Sequence, residues 1–157
     1  MAVDPAMYLF ANSEVGMSRG KLAAQIAHAA VEAYRITPEG SNLLRLWYAG
    51  GHYKKLVMDG GDASHLQVIE RYLRDRGFNT VLIVDEGHTE VAPLTPTALG
   101  VEIVDKNNYH VSATFSTFNV LRDSEEVRST PNQETSLCHR LCSMMKSSVT
   151  KDQSRAS

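Results

Sequence analysis

One early segment of the chain combines a cation, an amide and an imidazole at helical spacing. Lys21, Gln25 and His28 are separated by four and three residues, which places them on one stripe of a helix, opposite its apolar stripe. Gly20 and Lys21 are unfavourable in a first turn, because glycine is a weaker helix former than alanine and the helix dipole favours acids there. Both residues suit an anion that approaches the bare backbone N–H groups. The segment therefore predicts a phosphate site, and the alternative is a solvated helix face.

A second group of polar side chains follows an apolar run. Asp85 and His88 stand in the segment DEGHT at 85–89, directly after the run at 80–84. In open α/β sheets, ligands bind beyond the carboxyl ends of the parallel strands, so this position indicates a site. The alternatives are a turn or capping acid at Asp85 and an ordinary exposed loop residue at His88. We expect Lys21 and Asp85 to face each other across one cleft, because the helix of Lys21 also starts beyond a strand end.

A third feature is a set of basic residues outside these two segments. Arg71, Arg74 and Arg76 fall late in a predicted helix, and Lys54 and Lys55 precede a predicted strand. Arginines in the last turn commonly compensate the negative end of the helix dipole. Contact with phosphate is the alternative.

The elements that position these residues follow from periodicity and capping signals. The pattern predicts strands at 7–12, 55–58, 80–86 and 99–105 with a further strand at 110–120, and helices that begin after Ser18, Ser41 and Asp62 and end near Thr37, Gly50 and Gly77. This order predicts an α/β domain whose neighbouring strands are largely parallel. The domain is expected at 1–122, and the polar composition of 123–157 predicts a flexible tail with a short helix at 136–145.

Composition and charge restrict the classes of function. The chain has 157 residues, of which 43% are hydrophobic and 22% charged, as in one soluble globular domain. A net charge of −2 and a pI near 6.3 disfavour a general nucleic-acid binder, whose pI is typically above ~9. No apolar run approaches the ~18–20 residues of a membrane helix, and no signal-peptide pattern is found, so we expect a cytoplasmic protein without membrane contact. Cys138 and Cys142 are expected to stay thiols and to hold no metal.

Three segments carry a resemblance to a known family. They are MSRGKLAAQIAHAAVEAY at 17–34, KKLVM at 54–58 and DEGHTEVAPLTPTALG at 85–100. In this order and at these distances the chain resembles the archaeal/eukaryotic-type peptidyl-tRNA hydrolases, the class 2 enzymes, over residues 7–106. The resemblance implies a single α/β domain with a mixed sheet between helices. Together with the order of the predicted elements, it predicts a three-layer α/β/α domain with a mixed, mostly parallel sheet of about four to five strands.

The activity that the resemblance implies is hydrolysis of the ester between a peptide, or an N-blocked amino acid, and the 3′-terminal ribose of tRNA. The implied partner is peptidyl-tRNA, bound at its 3′ end and acceptor stem, and no cofactor is implied. Homodimerisation is left open. By motif position, the predicted catalytic residues are Lys21, His28, Asp85, Thr89 and Thr97. The predicted substrate-binding residues are Arg19, Gly20, Gln25, Lys55 and His88.

The chain departs from the family's pattern at several positions. Asn12 stands where the family usually has an arginine, and Glu14 is the acid that follows it. Asp59 replaces the second lysine of the strand motif, and Glu86 replaces an alanine. The segment APGS becomes APLT at 92–95. We expect these departures to affect substrate preference and rate more than fold.

Ester hydrolysis needs an activated water, a group that stabilises the oxyanion and help for the departing hydroxyl. We hypothesise that Asp85, with or without His28, positions or deprotonates the water, while Lys21 stabilises developing charge or the terminal phosphate. Thr89 and Thr97 would hold the water or the ester carbonyl. No Ser or Cys lies in an obvious nucleophile motif, so attack by water is preferred to a covalent intermediate.

Two other functions compete with the hydrolase. A non-catalytic RNA- or protein-binding module on the same fold is favoured by Asp59 and by the changes in the loop, and it is disfavoured by the retention of Lys21, His28, Asp85 and Thr89. A nucleotide-binding enzyme is disfavoured because the chain lacks both a Walker loop and a glycine-rich dinucleotide turn.

Overall fold

The computed structural model describes residues 2–87 and 90–123 of the chain. The elements are, in order, β1 (Pro5–Ala11), α1 (Arg19–Ile36), α2 (Asn42–Ala49), β2 (Lys55–Asp59), α3 (Ala63–Arg74), β3 (Thr80–Asp85), β4 (Thr95–Val101), β5 (Val104–Asp105) and α4 (Tyr109–Phe115). None of the helices within this part of the chain is long and apolar enough to span a membrane.

The strands form one mixed sheet in the order β2-β1-β4-β3, with β5 paired to β1. The prediction of a mostly parallel sheet is wrong, because β1 and β2 are parallel whereas β1–β4, β3–β4 and β1–β5 are antiparallel. The physical reason is the direct loop from β3 to β4, since a parallel neighbour would need a crossover element. The strands β1, β2 and β3 still run in one direction. Their carboxyl ends therefore share an edge of the sheet, which we call the carboxyl edge, and β4 starts there.

Helices cover both faces of the sheet. On one face, Met7 and Leu9 of β1 pack with Ala29 and Ala33 of α1 and with Trp47 of α2. On the other face, the alternate β1 residues Tyr8 and Phe10 pack in one cluster with the buried side chains of α3 and α4, which include Leu66, Ile69, Leu73 and Phe115. The alternation along β1 follows the period of two in a strand. The predicted α/β/α layering is confirmed.

Capping side chains set the starts of three helices as predicted. Ser18, Ser41 and Asp62 each accept a hydrogen bond from a backbone N–H of the first turn of α1, α2 and α3 respectively. The predicted end of α1 at Thr37, before Pro38, is also confirmed. The helix α3 ends at Arg74, slightly before the predicted Gly77, whose φ of +85° lies in the turn that follows.

Two sequence predictions need correction near the end of the domain. The segment at 110–120, predicted as a strand, contains α4 instead. Asn108 caps this helix, because its side chain accepts hydrogen bonds from the backbone N–H groups of His110 and Val111. The last long strand starts at Thr95, before the predicted 99–105. The tail, apart from Asp123, and its predicted helix at 136–145 lie outside the described residues.

Candidate functional site

The centre of the site is an ion pair at the carboxyl edge of the sheet. The Lys21 ammonium, from the first turn of α1, contacts Oδ1 of Asp85, the last residue of β3. Only 12% of the Lys21 side chain and 8% of the Asp85 side chain are exposed. The second carboxylate oxygen, Oδ2, accepts a hydrogen bond of 2.8 Å from the backbone N–H of Gly87. The expectation that Lys21 and Asp85 face each other is confirmed.

Two buried side chains hold this pair in place. The Gln25 Nε2 group donates to Asp85 Oδ1 at 3.2 Å. The Thr97 hydroxyl donates to Gln25 Oε1, which fixes which end of the amide faces Asp85. A chain of hydrogen bonds therefore runs from Thr97 on β4 through Gln25 on α1 to Asp85 on β3. Gln25 is 4% exposed, and Thr97 is fully buried.

A β-bulge brings Thr97 into this chain. In the β3–β4 register, Ile83 pairs with Ala98 and Val84 pairs with Pro96, so Thr97 is the extra residue on β4. Such a bulge changes the direction of a side chain, and here it allows the Thr97 hydroxyl to reach Gln25 on α1. Sequence periodicity gives no sign of the bulge, because it depends on the pairing of two strands.

The face of α1 that carries these groups is not the predicted one. Lys21 and Gln25 were expected opposite the apolar stripe, but Gln25 is buried with Ala29 and Ala33 on the face that packs on the sheet. The small alanines allow a close approach, since a Cβ on Gly100 of β4 would lie 2.5 Å from the Ala29 carbonyl oxygen. His28, predicted to share the stripe, is exposed and lies off this face.

The loop between β1 and α1 is held by Asn12, which is buried. Its Oδ1 accepts from the backbone N–H groups of Glu14 at 3.2 Å and Val15 at 3.0 Å. Its Nδ2 donates to the Pro96 carbonyl at 2.8 Å, which joins the loop to β4. Asn12, which replaces the family's usual arginine, thus stabilises the β1–α1 loop. The sequence could have indicated this role, because asparagine commonly forms such turns.

Glu90 adds a contact that sequence reasoning missed. Its carboxylate accepts from the Ser18 backbone N–H at 2.7 Å and from the Ser18 hydroxyl at 2.6 Å. These two hydrogen bonds, followed by the charge of Lys21, hold the pKa of the Glu90 carboxyl below its usual value. A carboxylate of the chain itself therefore lies at the helix start, where a phosphate was predicted. Because 72 residues separate the two partners, no local pattern shows the contact.

The remaining predicted residues are not members of the central hydrogen-bonded group. Arg19 and Gly20 are exposed at the start of α1, beside the pair, and His28 is exposed further along the helix. His88 and Thr89 lie outside the described residues, so their predicted roles have no structural account.

Lys55 lies at the other end of the sheet. On β1 it pairs with Met7, which is four residues before Ala11, the β1 residue at the carboxyl edge. Four residues of strand span roughly 13 Å, so Lys55 lies about that far along the sheet from this edge. Its ammonium donates to the Tyr53 carbonyl at 3.0 Å and lies 4.8 Å from the centre of the Trp47 ring. The structure therefore does not bring Lys55 together with Lys21 and Asp85.

Arg74, the last residue of α3, and Arg76, in the turn after it, also lie away from the site, near the amino end of β3. Arg74 forms an ion pair of 2.9 Å with Glu70 and donates from Nε to the Thr80 hydroxyl at 2.9 Å. The Arg76 guanidinium lies 3.5 Å from the centre of the Tyr72 ring. In residues 2–87 and 90–123, no group of three or more His, Cys, Asp or Glu side chains could hold a metal ion.

Comparison with known proteins agrees with the motifs. The family model "Peptidyl-tRNA hydrolase PTH2" matches residues 6–118. A peptidyl-tRNA hydrolase of Halobacterium salinarum is 40% identical over 91 residues, which cover 58% of this chain and 79% of the relative. The peptidyl-tRNA hydrolase of Pyrobaculum aerophilum is 35% identical over 112 residues, or 66% of this chain and 92% of the relative. The human protein "Peptidyl-tRNA hydrolase 2, mitochondrial" is 32% identical over 111 residues, or 67% of this chain and 62% of the relative. Since the matched region contains every element that builds the Lys21–Asp85 site, the chain belongs to the PTH2 family of peptidyl-tRNA hydrolases.

Proposed function

We propose that this protein hydrolyses the ester between a peptide, or an N-blocked amino acid, and the 3′-terminal ribose of tRNA. Water adds to the ester carbonyl carbon, the bond to the ribose oxygen breaks, and the products are a carboxylic acid and tRNA with a free hydroxyl. The observation that carries the proposal is the nearly buried Lys21–Asp85 pair, oriented by Gln25 and Thr97 at the carboxyl edge. The names of the relatives support the same chemistry.

Asp85 is proposed to orient the attacking water and to take up its proton. Its two oxygens are held by donors that include Lys21, Gln25 and the Gly87 backbone. A base held in this way loses no free energy to reorientation during the reaction. Thr89 remains a predicted ligand of the water or the carbonyl.

Lys21 is proposed to stabilise the negative charge that develops on the ester oxygen. An ammonium in a largely water-excluded position stabilises such charge more strongly than it would in bulk water. Because Lys21 already contacts Asp85, it also keeps the base in place until substrate arrives.

The tRNA part is proposed to lie along the exposed face of α1. Arg19 and His28 are exposed on this helix, and Gly20 offers open backbone beside them. Lys55 stays a predicted contact for a more distant part of the tRNA. The cytoplasmic location and a homodimer also stay predictions.

The test is the release of N-acetylated amino acid from tRNA by purified protein in the presence of a chelator. Asp85→Asn and Lys21→Gln are each expected to lower kcat/KM by about 100-fold or more. The matched control is Lys54→Gln, because Lys54 forms another lysine–aspartate pair, with Asp4, at the opposite end of β1. Near-normal turnover in both site variants would refute the assigned roles.

The alternative, a binding module that keeps the fold, has less support because Lys21, Gln25, Asp85 and Thr97 remain assembled. It predicts tRNA binding that weakens steeply with salt and is not accompanied by ester cleavage. The same purified protein distinguishes the two functions in one experiment.

A further inference from the structure

Leu94 has an unfavourable backbone conformation and an unfavourable environment. Its φ of +62° lies in the left-handed region, which residues other than glycine rarely adopt because Cβ approaches the following carbonyl oxygen. Its apolar side chain is 78% exposed. Neither the strained backbone nor the exposed apolar side chain of Leu94 stabilises the free protein. Backbone outliers of this kind are concentrated at ligand-binding positions.

Leu94 adjoins the central ion pair. Its backbone N–H donates to the Asp85 carbonyl at 2.8 Å, and the next residue, Thr95, pairs with Asp85 across the sheet. The preceding residues Ala92 and Pro93 are exposed as well. We call Ala92, Pro93 and Leu94 the apolar lip of the site.

The apolar lip is held in this conformation by its neighbours. The Thr95 hydroxyl donates to the Ala92 carbonyl at 2.6 Å. Gly87, with φ +81°, packs so closely that a Cβ there would lie 2.6 Å from Pro93. The strain at Leu94 is therefore imposed by the surrounding loop, as expected for a conformation that persists despite its cost.

Charge separates the two sides of the site. Glu86 is an exposed acid in the loop of the apolar lip and repels phosphate, whereas Arg19 is an exposed cation in the first turn of α1, next to the Ser18 that Glu90 contacts. The phosphates of a tRNA ester are therefore favoured on the α1 side. The acyl part of the same ester would then lie on the side of the apolar lip.

We propose that the apolar lip receives the side chain of the amino acid esterified to tRNA and makes the enzyme favour esters of large apolar residues, with Leu94 as the specificity-determining contact. This inference rests on the proposed hydrolase activity and names its preferred substrate class. Leu94 contacts the acyl group and takes no part in proton transfer.

The test compares kcat/KM for N-acetyl-leucyl-tRNA and N-acetyl-glycyl-tRNA. Leu94→Asn keeps a similar size and tolerates a left-handed φ, but it removes the apolar contact. The leucyl-to-glycyl ratio of kcat/KM is expected to fall about tenfold, since losing an apolar contact commonly costs that factor or more. The melting temperature is expected to stay equal or to rise, which shows that the variant folds.

Two controls make the result specific. Leu94→Met restores an apolar side chain and is expected to retain at least half of the wild-type ratio. Tyr109→Asn changes a side chain that is 88% exposed on α4, and it is expected to leave the ratio unchanged. An unchanged ratio in Leu94→Asn, or an equal loss on both esters, would overturn the specificity role while the hydrolase function stands. Absence of wild-type turnover on both esters would instead remove the proposed function together with this role.

Discussion

The nearly buried Lys21–Asp85 pair should behave differently from a surface pair when its charges are removed. Lys21→Met leaves Asp85 with donors that include Gln25 and the Gly87 backbone, but without its cation. Breaking a buried pair from one side commonly costs about 3–5 kcal/mol, and the remaining donors and the 12% exposure of Lys21 place this case near the lower end, at about 2–3 kcal/mol. Asp85→Asn should cost about 1–2 kcal/mol, because the unpaired ammonium can still reach water.

The double variant, with both substitutions, removes both charges and should be less destabilised than the sum of the single variants. We expect a coupling free energy of about 1–3 kcal/mol from a cycle of four urea-unfolding measurements. The pair Asp4–Lys54 provides the matched control, because its side chains are 29% and 37% exposed and its coupling should be at most about 1 kcal/mol.

Equal coupling in the two cycles would refute the conclusion that the site contains a desolvated pair. The same four proteins also separate stability from catalysis in the ester-release assay. The double variant should be less destabilised than the two single losses added together, yet it should remain inactive, since neither proposed catalytic group is present. Recovered activity in the double variant would contradict both assigned roles.

Three further predictions concern the frame around the pair. In Gly20→Ala, the added Cβ would meet no atom closer than 4.0 Å, so the free energy of unfolding should rise by up to about 1 kcal/mol. Ester release should fall, because the methyl group would occupy space proposed for the substrate, and unchanged turnover would mean that no substrate backbone approaches there. Gly100→Ala should destabilise by about 1–3 kcal/mol in urea unfolding, because its Cβ would lie 2.5 Å from the Ala29 carbonyl; a neutral result would contradict the close packing of α1 on β4. The pKa of the Glu90 carboxyl should lie below the usual value of a glutamate by NMR, so its tether to Ser18 is complete at neutral pH and is lost as the pH falls through the lowered pKa. Ser18→Ala should raise this pKa, and equal pKa values in the two proteins would contradict the tether.

The proximity of Lys21 and Asp85 could be predicted from the sequence, because it depends only on the direction in which β1 and β3 run. Lys21 follows β1 and Asp85 is the last residue of β3, and both strands end at the carboxyl edge although β4 runs antiparallel between them. Capping residues were equally readable, since Ser18 and Asp62 act within one helical turn.

Long-range pairing explains what the sequence did not show. The bulge at Thr97 arises from the register between β3 and β4, and the Glu90–Ser18 contact joins segments 72 residues apart. The helix face was predicted wrongly because Gln25 counted as polar and therefore as exposed. Its amide is buried between two polar partners, Asp85 and Thr97, which only the folded chain brings together.

Two departures from the family's pattern, Asn12 directly after β1 and Asp59 at the end of β2, stabilise the loop between β1 and α1. Asn12 joins the β1–α1 loop to β4. Asp59 accepts from the Ser13 hydroxyl at 2.6 Å and from the Gly61 backbone at 2.9 Å, so it holds the same loop from the side of β2. Both residues hold the loop that leads into α1, so we expect these substitutions to alter how substrate approaches more than how the ester is cleaved.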